Sequence, residues 1–357
     1  MSAIPQADPI RHPFPVPPAE AAAIEVAPGI LWLRLPLPMK LDHVNIFVLD
    51  DGDGWTLVDT GFSSTRSRDL WERILGAGPL RGKPVRRVIV THYHPDHIGL
   101  AGWFVERHGV ELVTTRTSWL YARMLVLDEQ EATAPAAMTF YRGAGMPADL
   151  LEKRRVERPV NFADMVWPLP LGFTRIVEGS VVTAGGRSWD VRIGHGHAPE
   201  HATLWCREEP LVLGGDQLLG SISPNLGVYP TEPDADPVGE WLESCAALAP
   251  FARDDQLVLP GHKLPYYGLP VRLQQLADGQ RAALDRLMAF LAQPRTADDC
   301  FSPLFRRRIG GGEYGLALAE SVGHLNHLYR NGRITRSPGP AGAWLWQVAD
   351  AGCSQRP

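Results

Sequence analysis

Val85-Arg86-Arg87-Val88-Ile89-Val90-Thr91-His92-Tyr93-His94-Pro95-Asp96-His97 decides how this 357-residue chain is read. The first six residues form a short apolar, β-branched run of the kind that makes a buried strand. Three histidines and an aspartate follow within six residues, and residues 97–108 then read as a helix. In an extended chain, side chains two apart point the same way. His92 and His94 can therefore converge on one metal ion. A turn at Pro95 would swing Asp96 and His97 towards a neighbouring position. Imidazole nitrogen and carboxylate oxygen suit zinc and also tolerate iron or manganese.

On the N-terminal side, residues 44–49 and 55–59 flank Asp50-Asp51-Gly52-Asp53-Gly54, which reads as a hairpin. Residues 67–75 have helical apolar spacing and 110–114 read as the next strand, so the alternation predicts an α/β layered fold. Residues 118–160 are Ala-, Met- and Leu-rich and broken by Pro135, Gly143, Gly145 and Pro147. They read as a helical insertion, either a lid or pocket wall or a plain layer on the sheet. Strands are expected again at 173–177, 181–184, 189–193, 202–206, 211–214 and 256–259, then a long helix over 271–291. After Pro294 a helix over 314–330, a stop at Asn331-Gly332 and a hairpin over 334–348 predict a winged-helix-like module. The expected domains are a Pro-rich extension (1–29), a catalytic domain (30–270) and a C-terminal winged-helix-like domain (271–357).

Hydrophobic residues make up 45% and charged residues 21% of the chain, which is ordinary for a globular protein. The net charge of -5 gives no global field to recruit nucleic acid or an acidic membrane. Cys206, Cys245, Cys300 and Cys353 are scattered, with no Cys-x-x-Cys pair, and read as reduced thiols of a cytoplasmic protein. No apolar segment is long enough to span a bilayer, since residues 30–49 are interrupted by Pro36, Pro38, Lys40, Asp42 and His43.

The segment around His92 matches the His-x-His-x-Asp-His signature of the metallo-β-lactamase superfamily, which includes glyoxalase II, lactonases and RNA-processing nucleases. Further motifs that resemble the family's follow in order. They are Asp59 in Leu57-Val58-Asp59-Thr60-Gly61, His197 in Gly196-His197-Ala198-Pro199, Asp216 in Leu213-Gly214-Gly215-Asp216, and His262 in Leu259-Pro260-Gly261-His262. The resemblance covers roughly residues 30–262 and implies an αββα sandwich. It further implies that His92, His94 and His197 hold one metal ion, that Asp96, His97 and His262 hold a second, and that Asp216 bridges them. Asp59 would orient ligands from behind. Two divalent ions, zinc first, would sit ~3.5–4 Å apart with an activated hydroxide between them. No covalent acyl-enzyme is expected.

The implied reaction is hydrolysis of an ester, lactone or thioester, with a small acyl compound as the partner. Asn225 and Tyr229, in the loop after Asp216, are candidates to donate a hydrogen bond to the carbonyl or leaving group. The C-terminal part resembles the extension of hydrolases similar to glyoxalase II, although no cationic cluster matches that enzyme's glutathione site. A β-lactamase proper fits poorly, because those enzymes are usually secreted and lack such an extension. Three rivals stand. A phosphodiesterase or ribonuclease would use the same metals, but the acidic balance argues against it. A persulfide dioxygenase would need one iron on His92, His197 and Asp216 only. DNA binding would use Arg306-Arg307-Arg308, Arg330, Arg333 and Arg336, though arginine runs are usually solvated faces. A homodimer through the C-terminal unit or the insertion is an open alternative. His195, His201, His43, His108, His324 and His327 read as ordinary core, cap or surface residues.

Overall fold

The computed structural model describes residues 9–349. In chain order the strands are β1 (Ile24–Ala27), β2 (Ile30–Pro36), β3 (His43–Asp50), β4 (Trp55–Val58), β5 (Val85–Ile89), β6 (Glu111–Thr114), β7 (Thr174–Arg175), β8 (Val181–Ala184), β9 (Arg187–Gly194), β10 (His201–Cys206), β11 (Leu211–Gly215), β12 (Leu257–Pro260), β13 (Ile334–Pro338) and β14 (Trp344–Val348). The helices are α1 (Thr65–Gly76), α2 (Pro95–Ile98), α3 (Ala101–His108), α4 (Arg116–Leu127), α5 (Pro135–Gly143), α6 (Ala148–Val156), α7 (Pro237–Leu248), α8 (Leu269–Phe290), α9 (Phe301–Phe305) and α10 (Tyr314–Arg330). None of the described helices is long and apolar enough to cross a membrane.

The chain divides into two compact units. The first takes the residues up to Glu129, Asn161–Pro224 and Ala246–Gln274; the second takes Gln130–Val160, Asn225–Cys245 and the residues from Gln275 on.

The first unit holds a seven-stranded sheet in the order β1 to β7 and a five-stranded sheet in the order β12-β11-β10-β9-β8. Period-two alternation explains how they stack. In β2, Ile30 and Trp32 face the second sheet, while Leu33 and Leu35 face the helices. In β3, Phe47 and Leu49 take the first face, and Val44, Ile46 and Val48 the other. The inner faces meet in one apolar core, with Trp189, Val191, Leu204 and Leu213 supplied by the smaller sheet. On the outer face of the larger sheet, Leu70, Trp71 and Ile74 of α1 and Phe104 of α3 complete a second core. The outward side chains of the smaller sheet, Trp205, Val212 and Val258, are buried too, with Phe251 against Trp205.

Several elements depart from the sequence reading. The helix expected over 97–108 is two, α2 and α3. Gly99 has no room for a Cβ against the backbone of Pro95 and Gly61, and the Thr60 hydroxyl accepts the Leu100 N–H (3.1 Å) that a continuous helix would use. The strand expected at 173–177 pairs over two residues only, as β7. Strand β1, inside the segment read as a Pro-rich extension, pairs antiparallel with β2 because Ile24 and Val26 add to the inter-sheet core. Further upstream, Arg11 exchanges backbone hydrogen bonds with Tyr267 (3.2 and 2.8 Å), and His12 Nδ1 lies 3.1 Å from the Pro265 carbonyl. Cys206, Cys245 and Cys300 are free thiols; Cys353 lies outside the described residues.

In the second unit β13 and β14 form the expected hairpin, and α10 packs on β13. Part of the helical insertion belongs here. Gly143 of α5 lies against the Trp344 ring, and the Ala144 carbonyl accepts the Asp298 N–H (3.2 Å).

Candidate metal centre

The family-like side chains of the first unit leave the carboxyl ends of five strands. Asp59 follows β4, the segment His92 to His97 follows β5, and His197 follows β9. Asp216 follows β11 and His262 follows β12. Strand carboxyl ends are where α/β sheets ordinarily gather ligands. The sharp turns required there place Asp59 and Gly215 at φ 65° and 47°.

Three imidazole nitrogens converge first. His92 Nε2 is 3.0 Å from His94 Nδ1, which is 3.0 Å from His197 Nε2. Beside them lie Asp96, His97 and His262. His262 Nε2 is 3.3 Å from Asp96 Oδ2, and His97 Nε2 is 3.6 Å from the same oxygen. Asp216 stands between the groups: Oδ1 is 3.5 Å from His97 Nε2, and Oδ2 is 3.4 Å from His197 Nε2 and 3.2 Å from His262 Nε2. Ligand atoms about 2.1 Å from one tetrahedral ion lie ~3.4 Å from each other, so these spacings suit a metal. His97 Nε2 and Asp216 Oδ1 are buried without a hydrogen-bond partner, a costly arrangement that a cation would relieve. The residues present therefore fit a metal.

Supporting contacts fix which nitrogen of each ring faces inwards. His262 Nδ1 donates to the His43 carbonyl (2.8 Å), and His97 Nδ1 donates to Asp59 Oδ2 (2.8 Å), leaving Nε2 of each ring to face the cluster. His92 Nδ1 lies 3.0 Å from the Thr91 hydroxyl, whose proton is directed to Asp59 (2.9 Å). Asp59 also accepts the Thr91 N–H (2.8 Å), so one carboxylate orients two rings.

Electrostatics divide the cluster. Burial, and then neighbouring histidines, hold His92 well below the usual imidazole range and His94 at about 3. His97 and His262 are also penalised by burial, but adjacent carboxylates outweigh it. Asp216, Asp96 and Asp59 raise His97, and Asp216 and Asp96 raise His262 to about 10. Metal binding at those two rings must displace protons.

Sequence reasoning understated two residues. His201 accepts the Asp216 N–H at Nε2 (3.0 Å) and stacks on His92 with 4.6 Å between ring centroids. Its place explains Gly215, where a Cβ would meet the His201 ring at 2.6 Å. The His43 carbonyl holds His262, and the His43 Nε2 accepts the Lys263 N–H (3.0 Å). His43 opens β3, and a contact made through its main chain leaves no signal in residue type. Tyr93, inside the same motif, packs near Tyr121 and Phe162. Asn225 and Tyr229 belong to the second unit.

Gly261 is equally constrained: a Cβ there would strike Asp216 Oδ1 and meet His97 Cε1 at 2.8 Å. Gly261→Ala is expected to lower metal affinity by at least ~10-fold, the scale seen when the surroundings of a ligand are disturbed, although no ligand is removed. Metal analysis of the folded variant checks this; full loading would show that the loop yields.

Residues 39–292 match the family model described as the metallo-β-lactamase superfamily, and residues 284–349 match the metallo-β-lactamase-like C-terminal domain. The chain is similar to the probable metallo-hydrolase YqjP of Bacillus subtilis, 24% identical over 86% of this chain and 94% of that one. It resembles in structure a β-lactamase domain protein from Burkholderia ambifaria, with 35% identity, a TM-score of 0.87, and coverage of 95% and 98% of the two chains. A metallo-β-lactamase family protein from Thermus thermophilus gives 27% identity, a TM-score of 0.76, and coverage of 91% and 100%. With more than half of its length matched and the ligand-type residues gathered at the strand ends, the chain belongs to the metallo-β-lactamase superfamily and is a hydrolytic enzyme carrying that family's C-terminal extension.

Proposed function

We propose that the chain hydrolyses an ester, lactone or thioester using two divalent metal ions, zinc first, with iron or manganese as alternatives. The observation that carries this reading is Asp216, whose two carboxylate oxygens face histidines of both groups. Such ions, when bound, acidify water to a pKa of about 7 and polarise a carbonyl oxygen. His92, His94 and His197 would hold one ion, and Asp96, His97 and His262 the other. Asp59, through Thr91 and His97, keeps the rings from rotating out of register. The extended partner set also favours two ions over the single iron of a persulfide dioxygenase, since the ligand atoms of Asp96, His97 and His262 form a second group that lies within 4.8 Å of one another.

A carbonyl substrate is favoured over nucleic acid. The net charge is -5, and several arginines of the C-terminal segment already have partners. Arg307 pairs with Glu313 (2.8 Å), and Arg330 donates to the Asp234 carbonyl (3.0 Å). Arg336 lies 3.6 Å from the Asp234 carboxylate and over the Trp344 ring. Purified protein is expected to leave duplex DNA unshifted at low salt.

The test is metal content per chain, paired with turnover on a lactone, a thioester, an aryl ester and a bis-aryl phosphodiester. About two ions per chain with carbonyl turnover is the expected result. One iron with oxygen uptake on a persulfide, or turnover of the phosphodiester alone, would replace this reading by a rival.

A further inference from the structure

The second unit contains a polar niche built from residues other than the metal ligands. Glu320 on α10 is partly buried, and its Oε2 accepts a hydrogen bond from Asn225 Nδ2 (2.8 Å), which also donates to the Leu316 carbonyl (3.2 Å). Among the described residues Oε1 of Glu320 has no hydrogen-bond partner, and no cationic side chain forms an ion pair with the carboxylate. Arg307, whose charge reaches it, is already held by both oxygens of Glu313 (2.9 and 2.8 Å).

The Tyr229 hydroxyl faces the same place. A Cβ built on Gly227 would lie 2.7 Å from Asn225 Oδ1, 3.1 Å from the Tyr229 hydroxyl and 3.2 Å from the Ala319 Cβ. The side chains therefore converge above a glycine floor, beside Glu320. The hydroxyl has no hydrogen-bond partner among the described residues, and Tyr229 keeps 38% of its surface exposed. The niche is thus open to solvent yet walled by protein.

Taking a carboxylate from water without a cation is costly. Burial accordingly pushes the Glu320 carboxyl up to about 7, against the pull of Asn225 and Arg307. Burial also lifts the Tyr229 phenol to about 12, with Glu320 and Tyr141 adding to it. A phenol that stays protonated can donate to, or accept from, an incoming group. What the niche lacks is a compact positive charge with several N–H donors.

We propose that Glu320, Tyr229 and Asn225 form a binding site for a primary ammonium group, as carried by a small alkylamine or the amino end of a larger ligand. The site stands on the second unit alone and does not depend on which reaction the metal centre performs.

The probe is n-butylammonium, titrated calorimetrically into the full-length protein, with n-butanol and butyrate as the neutral and anionic controls. Wild type should bind the ammonium, and Glu320→Gln should weaken it about tenfold, the scale of a hydrogen bond to a charged group. Tyr229→Phe, at a half-exposed position that should not disturb folding, should weaken it about threefold. Both variants should unfold at the wild-type temperature. The proposal is overturned if wild type shows no binding at about 50 mM ammonium, already a weak affinity for a charged group in a walled niche. It is equally overturned if butanol binds as well, or if Glu320→Gln and Tyr229→Phe both leave the affinity unchanged.

Discussion

Replacing Asp216 by alanine is expected to abolish hydrolysis while leaving the sandwich folded. Asp216 follows β11, whose residues Leu211 and Leu213 pack in the inter-sheet core, and its own side chain contributes no apolar contact to that core. Its contribution is charge. The carboxylate lies between His97, His197 and His262, and its removal leaves three inward imidazoles without their shared anion. Loss of a partner that merely orients a ligand costs roughly 10–100-fold in affinity or activity. A residue facing both groups should cost more than ~100-fold in turnover. His97→Ala should behave similarly, since that ring carries one of the buried unpartnered nitrogens. Turnover, metal content and circular dichroism of each variant check this together. A folded Asp216→Ala protein that keeps most of its turnover would sink the two-metal mechanism.

Removing metal with a chelator is the second large effect. Turnover should stop, and zinc or manganese should restore it. Stability should change as well, because His97 Nε2 and Asp216 Oδ1 are buried without partners until a cation reaches them. A ligand at 100 times its Kd stabilises the native state by about 2.7 kcal/mol, which in a chain of this size raises the midpoint by on the order of 5 °C. Calorimetry before and after chelation measures the shift. Full activity after verified removal would overturn the hydrolytic reading of these residues, and an unchanged midpoint would mean that the cluster holds no ion.

Much of this was legible because the informative residues sit at strand ends, where local pattern and chemistry coincide. The β-branched run before Thr91 and the hairpin at 50–54 read directly, the latter because Gly52 takes φ 89° where the turn needs it. The break between α2 and α3 did not, because it comes from the approach of the Thr60–Gly61 backbone, some forty residues distant in sequence. His43 and His201 were passed over for a similar reason. Each makes its contact through a main-chain group, its own carbonyl in His43 and the Asp216 N–H in His201, and residue type alone does not announce such a contact. Glu320 was invisible because a helical glutamate is ordinarily solvated; only its neighbours Asn225, Gly227 and Tyr229, folded back from a distant loop, make it unusual. The composition of residues 118–160 gave helices correctly, but not that α5 would pack with Trp344.

The backbone exchange between Arg11 and Tyr267 has a practical side. The strap formed by residues 9–12 holds the turn that begins immediately after His262: His12 lies against Pro265, the Arg11 guanidinium over the Tyr267 ring, and Gly268 leaves no space for a Cβ beside the Pro9 carbonyl. A shortened protein starting beyond residue 12, or one with a bulky affinity tag fused at that point, would slacken the loop that presents His262. Poor metal loading in such a preparation would then reflect how the polypeptide was trimmed, and the length of the N-terminal arm belongs among the variables recorded with every activity measurement.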